Sequence, residues 1–375
     1  LNSFANQADP ATSEHEKDLR RQAQKFEDHV FQKAVLDEAL VRMRAFSTGV
    51  QAYHRHPRRQ RPPEPPVIAQ SGSARLLDYG TLGEVQGGAP VLIIPSLINR
   101  AYILDLSKQR SLTRYMASKG LRPLLIDWGT PGETETDYNL DSYITGPLQH
   151  FFDMCGQLDS RPTTLIGYCM GGLLALALAQ RNQATTNAIA LLATPWDFHA
   201  GNPGSLSYLK SLKPAIEGLL AHAGELPVDI LQTMFAHLSP SLTAEKFRSF
   251  GDLSADSRRA QSFVELEDWL NDGVPLVSGV ARDCLFDWYL ENAPAKGNWH
   301  VSGDAILPKQ MTLPSLTVIP RKDHIVPPES AQALANILPN NQTRLIGTGH
   351  IGMVAGSYAK STLYEPLVEW IQSQY

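Results

Sequence analysis

Cysteine is scarce in this chain: three residues in 375, Cys155, Cys169 and Cys284, an odd number without clustered spacing. That argues against a disulfide framework and against a zinc site. Charge is modest as well, 33 Lys and Arg against 38 Asp and Glu, and the net of −5 gives no basis for a nucleic-acid partner. No uncharged apolar run reaches about 18 residues, so no transmembrane segment is expected, and the polar start lacks the apolar stretch of a signal peptide. These absences point to a cytoplasmic protein. The chain opens on Leu1, so its first residue is not taken as a natural start. What is abundant is apolar: 43% of residues are hydrophobic, enough for a large core in one α/β domain with additions.

Residues 1–73 differ in kind from the rest. Pro10 to Ser13 offer a helix start, and Glu14 to Arg44 carries an apolar stripe through Phe26, Val30, Ala34, Leu36, Leu40 and Met43, the spacing of an amphipathic helix that lies on another surface. His54 to Arg61 and the prolines up to Pro66 read as a basic, extended connector, a solvated linker rather than a contact for an anionic surface or a cofactor phosphate. His54 and His56 lack the further ligands that a metal needs.

From residue 74 the pattern alternates. Short, continuous apolar runs at Arg75 to Tyr79, Val91 to Ile94, Pro123 to Ile126, Thr163 to Ile166, Ala188 to Leu192, Leu316 to Ile319 and Arg344 to Ile346 suit strands buried on both faces. Helical segments lie between them, among them Leu104 to Lys119, Asp141 to Gln157, Gly171 to Arg181 and Ser330 to Leu338. The alternation predicts a doubly wound, mostly parallel sheet over 74–201 and 309–375. Residues 202–308 interrupt it with helical periodicity and no convincing strands, which predicts a helical lid. Its Trp269, Leu270, Trp288, Tyr289 and Leu290 either meet an apolar substrate or form the lid's own core.

Gly167-Tyr168-Cys169-Met170-Gly171-Gly172 sits between the strand Thr163 to Ile166 and the apolar helix that follows. That is a nucleophile elbow with a thiol in place of the usual hydroxyl. Small residues flank the nucleophile because a strained turn leaves no room for Cβ groups beside it. A helix N-terminus also favours an anion and aims backbone N–H groups at it. An elbow needs a base and an orienting acid, and Asp323 and His350 each follow a late strand, in the order acid, then histidine. Cys169, Asp323 and His350 are therefore the expected catalytic residues. His324, next to the acid, is read as a loop-packing or substrate-side residue. The oxyanion site is expected to combine the N–H of Met170 with that of Ile98, Leu97 being the close alternative.

A cysteine thioester is an energetic match for a thioester substrate, which favours acyl transfer from an acyl-coenzyme A to a hydroxyl, without excluding hydrolysis. At this point the motifs resemble the polyhydroxyalkanoate synthases, within the α/β-hydrolase superfamily. The elbow is similar to their G-x-C-x-G-G box. Pro95 to Leu106, Leu125-Ile126-Asp127-Trp128-Gly129, Ala193 to Phe198, Asp323 to Pro327 and Gly349-His350-Ile351-Gly352 are similar to further motifs of that family. The resemblance spans roughly residues 75 to 372 and looks most like the short catalytic subunit of the class that works with a second subunit. Tyr168 and Met170 are closer to the long single-subunit classes, and residues 202–308 match neither well.

The resemblance implies an α/β-hydrolase fold and a hydroxyacyl-coenzyme A, such as 3-hydroxybutyryl-coenzyme A, polymerised through a Cys169 thioester with release of coenzyme A. No cofactor is implied, since the coenzyme A thioester is the substrate. The growing polyester, a second synthase subunit or second copy, and the polymer granule surface are the implied partners. The competing readings are a cysteine hydrolase, thioesterase or depolymerase, and a noncatalytic granule-associated protein.

Overall fold

The computed structural model describes residues 10–83, 87–201, 203–237 and 240–375. Eight strands form one sheet: β1 (Val67–Ser71), β2 (Ala74–Asp78), β3 (Ala89–Ile94), β4 (Leu121–Asp127), β5 (Thr163–Tyr168), β6 (Thr186–Leu192), β7 (Ser315–Pro320) and β8 (Asn341–Ile346). Their order across the sheet is β1-β2-β4-β3-β5-β6-β7-β8. The pairs β1/β2 and β2/β4 are antiparallel and the rest parallel.

Central strands are buried on both faces, as their unbroken apolar runs require: every residue of β3 and β5 is buried. Alternate side chains serve opposite cores. Leu92, Ile94, Leu165 and Leu191 enter one, and Val91, Ile93, Ile166 and Leu192 the other. The register pairs Ile94 with Gly167 and Tyr168 with Leu192, so the segments after β3, β5 and β6 leave the sheet at one edge. Between β3 and β5 the chain direction of winding reverses. A crevice opens at such a point outside the carboxyl ends of the strands.

Several expectations are corrected. The sheet begins at Val67, inside the segment read as connector, because β1 is a half-exposed edge strand with a weak apolar signal. Leu104 to Lys119 is not one helix. A turn of 3-10 helix at Ala101–Leu104 leads into a small hairpin of Asp105–Ser107 with Arg110–Ser111, and the helix spans only Leu112–Ser118. Asp105 is buried where Arg114 (2.7 Å) and Tyr79 (2.9 Å) donate to it, and Ser111 starts the helix by accepting the N–H of Arg114.

The lid also differs. Its expected start at residue 202 lies outside the described residues. Strand pairs do occur within it, Glu225–Leu226 with Leu276–Val277 and His300–Val301 with Asp304–Ala305. Moreover, the chain divides into two compact units, Leu1–Pro57 with Pro240–Val264, and Arg58–Ser239 with Glu265–Tyr375. The expected lid is thus shared between them.

In the first unit, the amphipathic segment forms two helices, Pro10–Ala23 and Asp28–Arg55. The second runs on through His54 and Arg55, residues assigned by sequence to the connector. Gly49 lets it approach Pro240–Gly251 so closely that a Cβ there would meet the Phe247 carbonyl oxygen at 1.8 Å. Tyr53, Phe247, Phe250 and Phe263 complete that core. Both ring nitrogens of His56 face carbonyl oxygens, of Pro57 at 2.9 Å and of Ala255 at 2.8 Å. Phe26, Val30, Leu36 and Met43 of the expected buried stripe are exposed.

Candidate active site

Cys169 occupies the single residue between β5 and the helix Met170–Arg181, with φ +56° and ψ −128°. A non-glycine residue in that region stores on the order of 1–3 kcal/mol and persists only where neighbours over-determine it. Here the Cys169 N–H donates to Leu192 O at 2.8 Å, and Gly172 N–H donates back to Cys169 O at 2.9 Å. The flanking glycines answer to close approach. A Cβ on Gly171 would lie 2.1 Å from Ile94 O, and one on Gly172 would lie 1.9 Å from Thr194 Oγ1. The turn lifts Cys169 out of the backbone, leaving it partly accessible.

Asp323 follows β7 and has a fully buried side chain. Its Oδ1 accepts the N–H groups of Ile325 (2.8 Å) and Val326 (2.9 Å), which pins the carboxylate. Its Oδ2 lies 2.7 Å from Nδ1 of His350, the first residue of the short helix His350–Ala355 after β8. The bond with Asp323 places a proton on Nδ1 and leaves the other ring nitrogen unengaged by the acid. Burial by itself would lower the imidazole. The charge of a neighbouring Cys169 and the Asp323 bond outweigh it and push His350 up to about 10. The three residues singled out by sequence thus meet at one edge of the sheet.

The other thiols differ in kind. Burial pushes Cys155 up to about 12 and Cys284 well above the ordinary thiol range, the latter aided by Asp283, Asp287 and Cys169. Both are buried and stay protonated, whereas Cys169 is partly accessible.

The oxyanion expectation is half altered. Met170 opens the helix, so its N–H has no helical carbonyl to meet. The N–H of Ile98, however, donates to Ser96 Oγ at 3.1 Å. Its direction follows from the turn Ser96 makes, which residue type alone does not reveal. Leu97 is buried in the same loop and belongs with Met170 to one apolar cluster. Trp128 of the Asp-Trp-Gly segment steadies the loop by donating Nε1–H to Pro95 O at 3.0 Å. His324 is exposed.

Sequence reasoning missed Tyr168. It is buried, its ring centroid is 5.2 Å from that of His350, and its hydroxyl donates to His350 O. The only signal was an aromatic at the variable position before the nucleophile. Of the lid aromatics, Trp269 and Trp288 are buried, as lid-core residues would be. Tyr289 is half-buried with its ring 4.7 Å from Phe198, and its phenol is pushed upward by burial and then by Cys169, Cys284 and Asp323. Like Cys284, it lies in the segment 202–308 and couples electrostatically to Cys169.

Residues 89–356 match the family described as "alpha/beta hydrolase fold". The chain is 27% identical over 309 residues to the "Poly(3-hydroxyalkanoate) polymerase subunit PhaC" of Haloferax mediterranei, with 81% of this chain and 63% of that one covered. To the protein of the same name from Synechocystis it is 29% identical over 296 residues, covering 76% and 78%. The chain thus spans less than two thirds of the Haloferax relative. A monoacylglycerol lipase from Paleococcus ferrophilus shares the fold at a TM-score of 0.53 and 16% identity, over 80% of this chain and 99% of that one.

Proposed function

The chain belongs to the polyhydroxyalkanoate synthase family within the α/β-hydrolase superfamily, and on that premise we propose that it polymerises hydroxyacyl-coenzyme A through a thioester on Cys169. The observation that carries the reading is the thiol at the strained elbow, with His350 beside it and Asp323 held 2.7 Å from the far ring nitrogen. An acyl-coenzyme A thioester is the substrate, and no resident cofactor enters the reaction.

In the first half-reaction the Cys169 thiolate attacks the thioester carbonyl, and the oxygen takes the negative charge facing the N–H groups of Met170 and Leu97. Collapse breaks the bond to coenzyme A, whose sulfur leaves with the electron pair and takes the proton of His350. Neutral His350 then accepts the proton of an incoming hydroxyl as that oxygen attacks the enzyme thioester. An ester bond forms, and Cys169 and His350 return as thiolate and imidazolium. Because burial keeps Cys155 and Cys284 protonated, one thiol serves every cycle. The hydroxyl is that of a second hydroxyacyl-coenzyme A, and the lengthened thioester re-acylates Cys169.

The word "subunit" in the names of the relatives supports a second synthase subunit as partner. The exposed Val30, Phe31, Val35 and Leu36 of helix Asp28–Arg55 offer a surface for it, or for the polymer granule. Among the described residues no helix is long and apolar enough to cross a membrane.

The test is incubation of the purified protein with 3-hydroxybutyryl-coenzyme A, following free thiol and the fate of the acyl group together. Thiol release with insoluble polyester is the expected result. Release with free 3-hydroxybutyrate alone would make the protein a thioesterase.

A further inference from the structure

The loop from Pro95 to Tyr102 has little structure of its own, a single turn of 3-10 helix at its end. It is held from outside. Trp269 of the lid is buried and donates Nε1–H to Arg100 O at 2.8 Å. Asn99 makes an antiparallel bridge with Gly273, where a Cβ would meet Val228 Cγ1 at 2.5 Å. Asp272 accepts from the Tyr102 hydroxyl at 3.0 Å and from Arg100 Nε at 3.4 Å, while Arg100 Nη2 reaches Thr130 Oγ1 at 2.9 Å. The segment read from sequence as a solvated basic linker joins them. The Arg61 guanidinium lies 3.6 Å over the Tyr102 ring, and Arg58 bonds both oxygens of Asp268, at 3.0 and 3.1 Å.

We propose that this edge of the lid is a clamp that sets the oxyanion loop, with Asp272 and Trp269 as positioning residues for acylation of Cys169. The inference rests on the reading of Cys169 as an acyl carrier with Leu97 as second oxyanion donor. Such a donor acts only when held at about 2.7–3.1 Å from the developing charge, so a loop without internal ladders needs an external frame. The contacts made to the loop itself fall on Asn99, Arg100 and Tyr102, beginning two residues after the donor. Exposed ion pairs add little to global stability. Asp272 and Arg100 therefore act through where they hold the loop rather than through how firmly they hold the fold.

The test compares two reactions of the same thiol in the full chain. Iodoacetamide alkylates Sγ by displacing iodide and generates no carbonyl oxyanion. A p-nitrophenyl ester acylates Sγ through a tetrahedral oxyanion, from which p-nitrophenolate departs with the bonding electrons. In Asp272→Asn and in Tyr102→Phe, acylation is expected to fall about tenfold while alkylation stays within about twofold of wild type. The double variant falls no further than the lower single, because the two residues share one contact. Acylation unchanged in both variants, or both reactions reduced by one factor, overturns the clamp. A wild type that is alkylated but never acylated removes the proposed function and the clamp with it.

Discussion

The hydroxyl of Tyr168 donates to the carbonyl of His350 at 3.2 Å, and its ring lies against the imidazole with an interplanar angle of 32°. From the position before Cys169, Tyr168 thus holds the backbone of His350. Tyr168→Phe keeps the ring and deletes the bond. It is expected to cost about 1 kcal/mol in denaturant unfolding and to slow acylation of Cys169 severalfold. Wild-type stability together with wild-type rate would show that the contact positions nothing.

The raised imidazole of His350 has a spectroscopic signature. With its proton retained to about pH 10, the ring is expected to keep the NMR shifts of an imidazolium through neutral and mildly alkaline pH. In Asp323→Asn the ring is expected to titrate at lower pH, because the carboxylate that holds the proton is gone. A wild-type ring that titrates near the ordinary value of 6.5 would contradict the pairing.

Thr194 and Gly172 make opposite predictions from one contact. Thr194 Oγ1 is buried with no hydrogen-bond partner among the described residues, so Thr194→Val should be neutral or stabilising by up to about 1 kcal/mol. Gly172→Ala drives a Cβ into that side chain and is expected to destabilise by about 1–3 kcal/mol. Thermal denaturation of both variants decides the pair, and equal shifts would refute the close approach.

Asp283 in the lid accepts the N–H of Leu140 at 2.8 Å. Burial, followed by the charges of Asp287 and Asp141, nonetheless raises it from 3.8 to about 6. A carboxyl that holds its proton more tightly when folded contributes most below pH 3.8, and that contribution is lost as the pH rises through about 6. Asp283→Asn should therefore match wild type near pH 4 and exceed it in melting temperature above pH 6. A difference independent of pH would refute the shift.

Much of this was legible in the sequence because strands buried on both faces are written as continuous apolar runs, as in Val91 to Ile94 and Thr163 to Ile166. Cys169 and Asp323 were legible for the same reason, each standing just after such a run, whereas His350 follows β8, an edge strand read as buried on both faces whose residues Gln342 to Leu345 are exposed. Where the apolar signal fades, as at Val67–Ser71 on the sheet edge, the strand was not seen. Leu104 to Lys119 misled because its apolar spacing suits a helix, whereas Asp105 is fixed by Arg114 and by Tyr79, a partner 26 residues away. The direction of the Ile98 N–H and the reach of Tyr168, Asp272 and Arg61 depend on which segments meet. Composition and periodicity carry no record of that.

In the proposed mechanism one thiol carries the growing chain. The most direct measurement is a brief reaction with 3-hydroxybutyryl-coenzyme A, quenched in acid and followed by mass analysis of the peptide that contains Cys169. A ladder of adducts on that residue, each longer by one hydroxybutyryl unit and absent in Cys169→Ala, is the predicted result. A single hydroxybutyryl adduct that never lengthens while free acid accumulates, or adducts on another residue, would contradict it.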